Sequence, residues 1–124
     1  MFRQGPIPPL VHGILDYLVG AALVAAPFVL GFDGGAPTAA SVVLGVALLI
    51  IAGSTQLPTG LVHSLPAALH ALLDYAIAAA AIAAPFVLGF SGDRTATPAL
   101  VAIGVLQLLQ TLATRFLRPF DARR

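Results

Sequence analysis

The chain contains a stretch of 21 residues that occurs twice. Residues 12–32 read HGILDYLVGAALVAAPFVLGF, and residues 70–90 read HALLDYAIAAAAIAAPFVLGF, with 14 of the 21 positions identical. Most of the differences exchange one apolar or small residue for another. Both copies retain the His, the Asp, the Tyr, the Pro and the PFVLGF ending. The fold therefore has to accommodate the same structural unit twice.

The composition indicates a lipid environment. Hydrophobic residues make up 59% of the chain and charged residues only 9%, whereas a soluble domain is about 25% charged. So few charges cannot cover a water-facing surface. The net charge of +1 gives no argument for a nucleic-acid partner. The lack of cysteine excludes disulfides, thiolate metal sites and a Cys nucleophile.

Four apolar segments have the length of a membrane helix, since roughly 20 helical residues cross the hydrocarbon core. They run over residues 8–31, 38–57, 66–89 and 98–117. The turn-forming clusters DGGAP, LPTG and SGDRT separate them. Ser64 and Thr97, each shortly before a proline, are predicted to cap the third and fourth helices.

The repeat extends over both members of each helix pair. With one extra residue in the second loop, Gly45 aligns with Gly104, which defines repeat units 8–57 and 66–117. These units predict an all-α membrane protein with four transmembrane helices, built as two tandem helical hairpins within one domain, residues 1–124. Both units enter the membrane from the same side, so we expect a pseudo-twofold axis along the membrane normal.

The arginines predict the orientation of this bundle. Five of them flank one side: Arg3, Arg115, Arg118, Arg123 and Arg124. Only Arg94 lies on the other side. By the positive-inside rule both termini face the cytoplasm across the cell (inner) membrane. We expect no cleaved signal peptide, because the first segment recurs within the chain.

Two His/Asp pairs are the candidate intramembrane polar or ion site. His12 and Asp16, like His70 and Asp74, are four residues apart, so each pair shares one helix face. An ionised carboxylate within the membrane is costly and normally faces the bundle interior with a partner.

Three interpretations of these pairs remain open. In the structural one, each Asp accepts a hydrogen bond from its own His or pairs with Arg115 or Arg118. In the second, the two copies meet and bind a metal through ligand types that suit one. In the third, the pairs relay protons or a cation, although no acidic or His residue lies deeper along any helix to continue the path.

The fourth helix departs from the repeat by carrying a polar face. That face consists of Gln107, Gln110, Thr111 and Thr114. The positions aligned with the two glutamines, Leu48 and Ile51, are apolar. We expect the polar face to bond helices together, within the chain or to a second copy; the alternative is the lining of a pore.

Pro27 and Pro85 are predicted to kink the first and third helices. The PFVLGF ends would then form an aromatic collar at the outer face, from Phe28, Phe32, Phe86 and Phe90. Small residues are expected where helices touch: Gly13, Gly20, Ala21, Ala25, Gly45, Ala52, Gly53, Ala78–Ala81, Ala83 and Ala84.

At Ala26-Pro27-Phe28 and Ala84-Pro85-Phe86 the sequence resembles the SPW-repeat family of small bacterial membrane proteins. That family has a two-helix unit, often present twice, with a Ser-Pro-Trp signature before a short apolar ending. Here the proline and an aromatic residue are retained, while the serine and the tryptophan are replaced. The resemblance implies architecture and brings no catalytic residues.

The sequence favours a small multi-pass membrane protein with a structural or accessory role, which packs with itself or with a larger membrane complex in the bilayer. The alternative is a minimal transporter-like protein that binds protons, ions or a metal through the His/Asp pairs, as an oligomer. We expect no cofactor and no enzymatic activity, because no phosphate loop, nucleophile elbow or HExxH motif is present.

Overall fold

A computed structural model describes residues 7–54 and 66–114, which form four helices. These are α1 (Pro9–Leu30), α2 (Gly35–Gly53), α3 (Ala67–Val87) and α4 (Ala96–Leu112). Helix α1 packs on α2, and α3 packs on α4; α2 also contacts α3, and α4 contacts α1. The described residues contain no β-strand, so the predicted all-α class is confirmed, while the pseudo-twofold axis stays a prediction.

The helices have the character of membrane spans. Helices α1, α2 and α3 are long and apolar enough to cross a bilayer, and α4 is a shorter apolar helix of 17 residues. Large apolar side chains point away from the bundle, among them Val29, which is 77% exposed, and Ile50, which is 62% exposed. Water would be a poor solvent for such a surface, and the protein is therefore a membrane protein.

Two helices begin earlier than the sequence predicts. Helix α4 begins at Ala96 and α2 at Gly35, so the prediction that Thr97 caps α4 is wrong. The Asp93 carboxylate accepts hydrogen bonds from the Thr95 and Ala96 backbone N–H groups, both at 2.9 Å, and this starts the helix. Ser64, the other predicted cap, lies outside the described residues, as do residues 115–117 of the fourth segment.

Each hairpin is closed by a tight helix crossing at aligned positions. A Cβ atom on Gly45 would lie 2.7 Å from the Gly20 carbonyl oxygen, and one on Gly104 would lie 3.0 Å from the Ala78 carbonyl oxygen. Five of the small residues expected at contacts are exposed alanines: Ala21, Ala25, Ala79, Ala80 and Ala83. Only the small residues on the side of α1 and α3 that faces the bundle can serve a crossing.

Pro27 lies buried near the end of α1, and Pro85 lies buried near the end of α3. Because proline has no N–H group, Pro27 leaves the Leu23 carbonyl without its helical donor. The Ser41 hydroxyl on α2 donates to that carbonyl at 2.5 Å. The bend that each proline was expected to impose stays a prediction.

The aromatic residues of the two PFVLGF ends divide into two kinds. Phe28 and Phe86 are exposed, at 72% and 62%, but Phe90 is only 8% exposed and Phe32 packs against the core. The predicted collar is therefore wrong for Phe32 and Phe90. Both follow the helix ends, where glycines at positive φ redirect the chain, so their side chains return over the core.

Candidate functional site: a buried His/Asp quartet

The two His/Asp pairs meet inside the bundle. His12 and Asp16 lie on α1, His70 and Asp74 lie on α3, and each residue is at most 1% exposed. One potential ligand atom from each of the four lies within 4.8 Å of the others. We call these residues the quartet, and the bundle end formed by the first turns of α1 and α3 the quartet end.

The contacts within the quartet cross between the helices. His12 Nε2 lies 3.0 Å from Asp16 Oδ2 on its own helix and 2.7 Å from Asp74 Oδ2 on α3. His70 Nε2 lies 3.0 Å from Asp74 Oδ2 on its own helix and 2.8 Å from Asp16 Oδ2 on α1. The contacts between hairpins are thus as short as those within a helix, or shorter. The arginines proposed as partners, Arg115 and Arg118, lie outside the described residues.

The polar face of α4 completes the surroundings of Asp16. Asp16 Oδ1 accepts hydrogen bonds from Gln107 Nε2 at 3.1 Å and from Gln110 Nε2 at 2.8 Å. Gln110 also donates to Gln107 Oε1 at 2.7 Å. The structure therefore places these two amides in contact within the chain, and holds one oxygen of Asp16 while the other faces the histidines.

Thr114 determines how His12 is protonated at Nδ1. The Thr114 Oγ1 atom lies 2.7 Å from His12 Nδ1 and donates its only proton to the Gln110 carbonyl. Thr114 must therefore accept from His12, so Nδ1 carries a hydrogen. Thr111, the last member of the polar face, donates back to the Gln107 carbonyl at 2.7 Å within the helix.

Asp74 is less completely bonded than Asp16. Within the described part of the chain, Asp74 Oδ1 is buried without a donor, and so is Gln110 Oε1. Helix α2 packs on α3, but it carries Leu48 and Ile51 where the repeat places Gln107 and Gln110 on α4. The two carboxylates of the quartet therefore differ in their surroundings.

Reasoning from the sequence treated the His/Asp pairs and the polar face as separate features. The structure joins them, since Gln107 and Gln110 contact Asp16 and Thr114 contacts His12. One signal was available: the polar face lies toward the end of α4, and an antiparallel neighbour brings that end beside the start of α1. A comparison of how far each residue lies from its helix end would therefore have placed the polar face of α4 beside the His/Asp pairs.

This site has the groups needed to hold protons or a cation. Imidazole nitrogens and carboxylate oxygens are ligands for several divalent metals, and the same groups bind protons. Among the buried polar side chains of the described chain, all except Ser41 belong to the quartet or to the α4 polar face.

Comparison with known proteins identifies the family. No curated protein and no solved structure matches the chain significantly. The family model of the SPW repeat domain matches residues 10–114. This match runs from the first turn of α1 to Thr114 and includes the quartet and the α4 polar face. The chain belongs to the SPW repeat family.

Proposed function

We propose that the protein has a structural or accessory role in the cell membrane, and that its quartet locks two hairpins into one bundle. In this proposal four helices cross the membrane with both termini in the cytoplasm, in keeping with the arginines that flank the quartet end in the sequence. The locked bundle packs with a second copy or with a larger membrane complex, and carries out no catalysis.

The crossed His/Asp contacts carry the proposal. Each histidine contacts the carboxylates of both hairpins at 2.7–3.0 Å. Within a membrane bundle, separating the hairpins would leave buried polar and charged groups without partners, which costs far more than separating apolar surfaces. A polar cluster of this kind sets a single register between α1 and α3.

The transporter-like alternative requires a polar route to both sides of the membrane. In the described part of the chain the buried polar side chains lie at the quartet end, except for Ser41. Ser41 is bonded to the Leu23 carbonyl and lies in a region whose core is apolar, with Leu23 and Leu100 fully buried. This distribution favours a lock over a path.

The first experiment measures coupling between the hairpins. A double-mutant cycle of His12→Asn and Asp74→Asn, in full-length protein in detergent, should give a coupling free energy of about 1–3 kcal/mol. The matched control pairs His12→Asn with Thr38→Ala and should give no coupling, because the Thr38 hydroxyl donates to the Gly34 carbonyl at the start of its own helix. Additive His12 and Asp74 effects would contradict the lock.

The second experiment separates the lock from transport. Protein reconstituted in liposomes should show no proton or divalent-cation flux above that of Asp74→Asn. Flux that is lost in Asp74→Asn would favour the transporter-like alternative.

The mass of the protein extracted from the membrane tests whether it assembles with a second copy or with another protein. Protein extracted into native nanodiscs should run as a multiple of its 12.6 kDa chain or with a second protein, and a single free chain would contradict that role.

A further inference from the structure

We propose that the quartet binds one divalent transition-metal ion of the zinc type, with His12, Asp16, His70 and Asp74 as its ligands. The inference rests on the lock, because it uses the same four side chains, and it adds an ion at their centre. Without the ion the quartet is held by hydrogen bonds; with it, the same side chains are held by coordination.

The spacing of the quartet suits such an ion. Zinc bonds to His nitrogen and carboxylate oxygen are about 2.0–2.2 Å long and tetrahedral, which places neighbouring ligand atoms roughly 3.3–3.6 Å apart. The four N···O distances of 2.7–3.0 Å fall short of this by roughly 0.3–0.9 Å. A small outward movement of side chains would therefore open a tetrahedral site. Two imidazoles and two carboxylates suit zinc, cobalt or manganese.

The atoms around the quartet already orient its ligands. Metal-bound histidines commonly donate their second ring N–H to a neighbouring oxygen, which fixes the ring. His12 does so through Nδ1 to Thr114 Oγ1, so its Nε2 is aimed at the centre. Asp16 is held through Oδ1 by Gln107 and Gln110, which leaves its Oδ2 for an ion.

Asp74 Oδ1 is an independent indication of a missing partner. Asp74 is fully buried, and in the described chain no group donates to this oxygen. Buried carboxylate oxygens are normally satisfied. An ion bound at Asp74 Oδ2 is within reach of the second oxygen of the same carboxylate, so Asp74 can chelate where Asp16 binds through one oxygen.

The charge balance of the quartet permits a divalent ion to replace protons inside an apolar bundle. A nitrogen and an oxygen at 2.7–3.0 Å need a proton between them, because two lone pairs would repel. The two Nε2 atoms therefore keep at least two protons within the quartet. A divalent ion that displaces these two protons from the Nε2 atoms leaves the net charge of the quartet unchanged, so no new charge is buried.

Metal binding to the full-length protein in detergent tests this inference. Protein treated with a chelator and then titrated with Zn²⁺ by calorimetry should bind one ion per chain. His70→Gln should weaken binding by more than about 100-fold, and Gln107→Leu, which removes a group that orients a ligand, by about 10–100-fold. His63→Gln is the matched control, since this third histidine lies between the two repeat units; it should leave the affinity unchanged.

A second measurement does not depend on any variant. Co²⁺ bound to the wild-type protein should give the intense visible absorption of a tetrahedral or five-coordinate ion, and a weak octahedral spectrum would overturn the proposal. Substoichiometric Zn²⁺ binding, or binding lost in His63→Gln but kept in His70→Gln, would overturn it as well. Strong coupling between His12 and Asp74 without any Zn²⁺ binding would exclude the ion and leave the lock intact.

Discussion

The two copies of the His/Asp motif are identical in sequence and different in surroundings. Asp16 accepts from the side chains of both histidines and of Gln107 and Gln110. Asp74 contacts the two histidines through its Oδ2, and among the described residues its Oδ1 has no donor. The difference originates outside the repeated stretch, in the second helix of each hairpin.

The repeated motif supplies the four residues of the quartet, and the helices packed beside it make the two carboxylates different. Helix α4 presents amides to Asp16, whereas the aligned positions of α2, Leu48 and Ile51, are apolar. One carboxylate is therefore held in place at both oxygens, and the other keeps an oxygen available. A cluster with one rigid and one adaptable carboxylate can accept a ligand more readily than one in which every atom is bonded.

The opposite end of the bundle shows the reverse asymmetry. Ser41 on α2 donates to the carbonyl that Pro27 leaves free. The position aligned with Ser41 in the second hairpin is Leu100, which is fully buried. Each hairpin thus contains a polar contact that the other lacks: Ser41 with the Leu23 carbonyl in the first, and the two glutamines with Asp16 in the second.

Matched substitutions of the two carboxylates should have unequal costs. Asp16→Asn disturbs hydrogen bonds from four side chains, so we expect a loss of about 3–5 kcal/mol, as for breaking a buried ion pair. Asp74→Asn disturbs bonds to two side chains and should cost clearly less. Thermal or denaturant unfolding of both variants in detergent measures the difference, and equal costs would show that the glutamines contribute nothing at Asp16.

Adding a methyl group at the helix crossings should lower the stability more in the first hairpin than in the second. In Gly45→Ala the new Cβ meets backbone, the Gly20 oxygen at 2.7 Å, and we expect a loss of about 1–3 kcal/mol from overpacking. In Gly104→Ala the closest atom is Cγ1 of Ile82, also at 2.7 Å, which belongs to a side chain that can move, and the nearest backbone atom, the Ala78 oxygen, is farther away at 3.0 Å. Gly35→Ala, with no atom within 4 Å, is the control, measured by the same unfolding experiment.

Removing the hydroxyl of Ser41 should destabilise the protein, because this hydroxyl replaces the donor that Pro27 lacks. Ser41→Ala leaves the Leu23 carbonyl buried without a donor, for which we expect about 1–2 kcal/mol. Thr38→Ala removes an exposed hydroxyl bonded to the Gly34 carbonyl and should change the melting temperature much less. If the two variants melt alike, Ser41 does not compensate for the proline.

The loops that join the helices of each hairpin should show the smallest effect. Asp93 accepts from the backbone N–H groups of Ala96 and Thr95, and across the bundle from that of Asp33 at 3.0 Å. Asp93→Ala removes all three bonds and should lower the melting temperature slightly. Asp33→Ala should not, because Asp33 donates through its backbone.

The same contact predicts a pH dependence. The N–H donors, chiefly that of Ala96, lower the pKa of Asp93 below its ordinary value of 3.8. A carboxyl whose pKa is lowered on folding contributes stability that is complete above its ordinary pKa and is lost as the pH falls through the lowered one. The difference in melting temperature between wild type and Asp93→Ala should therefore shrink in acid, and a difference that is constant with pH would contradict this.

Much of the fold could be predicted from the sequence. Helices in lipid make their backbone hydrogen bonds internally, so they are recognised by their length and apolar composition. Local periodicity predicts the four helical segments and their pairing into hairpins. It also places His12 and Asp16 on one face of α1. The errors lie at helix ends, where Asp93 starts α4 before Thr97, and at Phe32 and Phe90, where the chain turns back after the helix. Such turns depend on contacts between distant residues.

The repeated sequence pattern predicts a membrane protein built from two copies of one helical unit, with a His/Asp pair at the same place in each copy. The packing of the helices joins the two pairs into one quartet, places Gln107 and Gln110 against Asp16, and leaves Asp74 Oδ1 without a donor among the described residues. The physical reason is that periodicity places a side chain on a face of its own helix. Which faces meet, and at what depth, is decided by the packing of the four helices together.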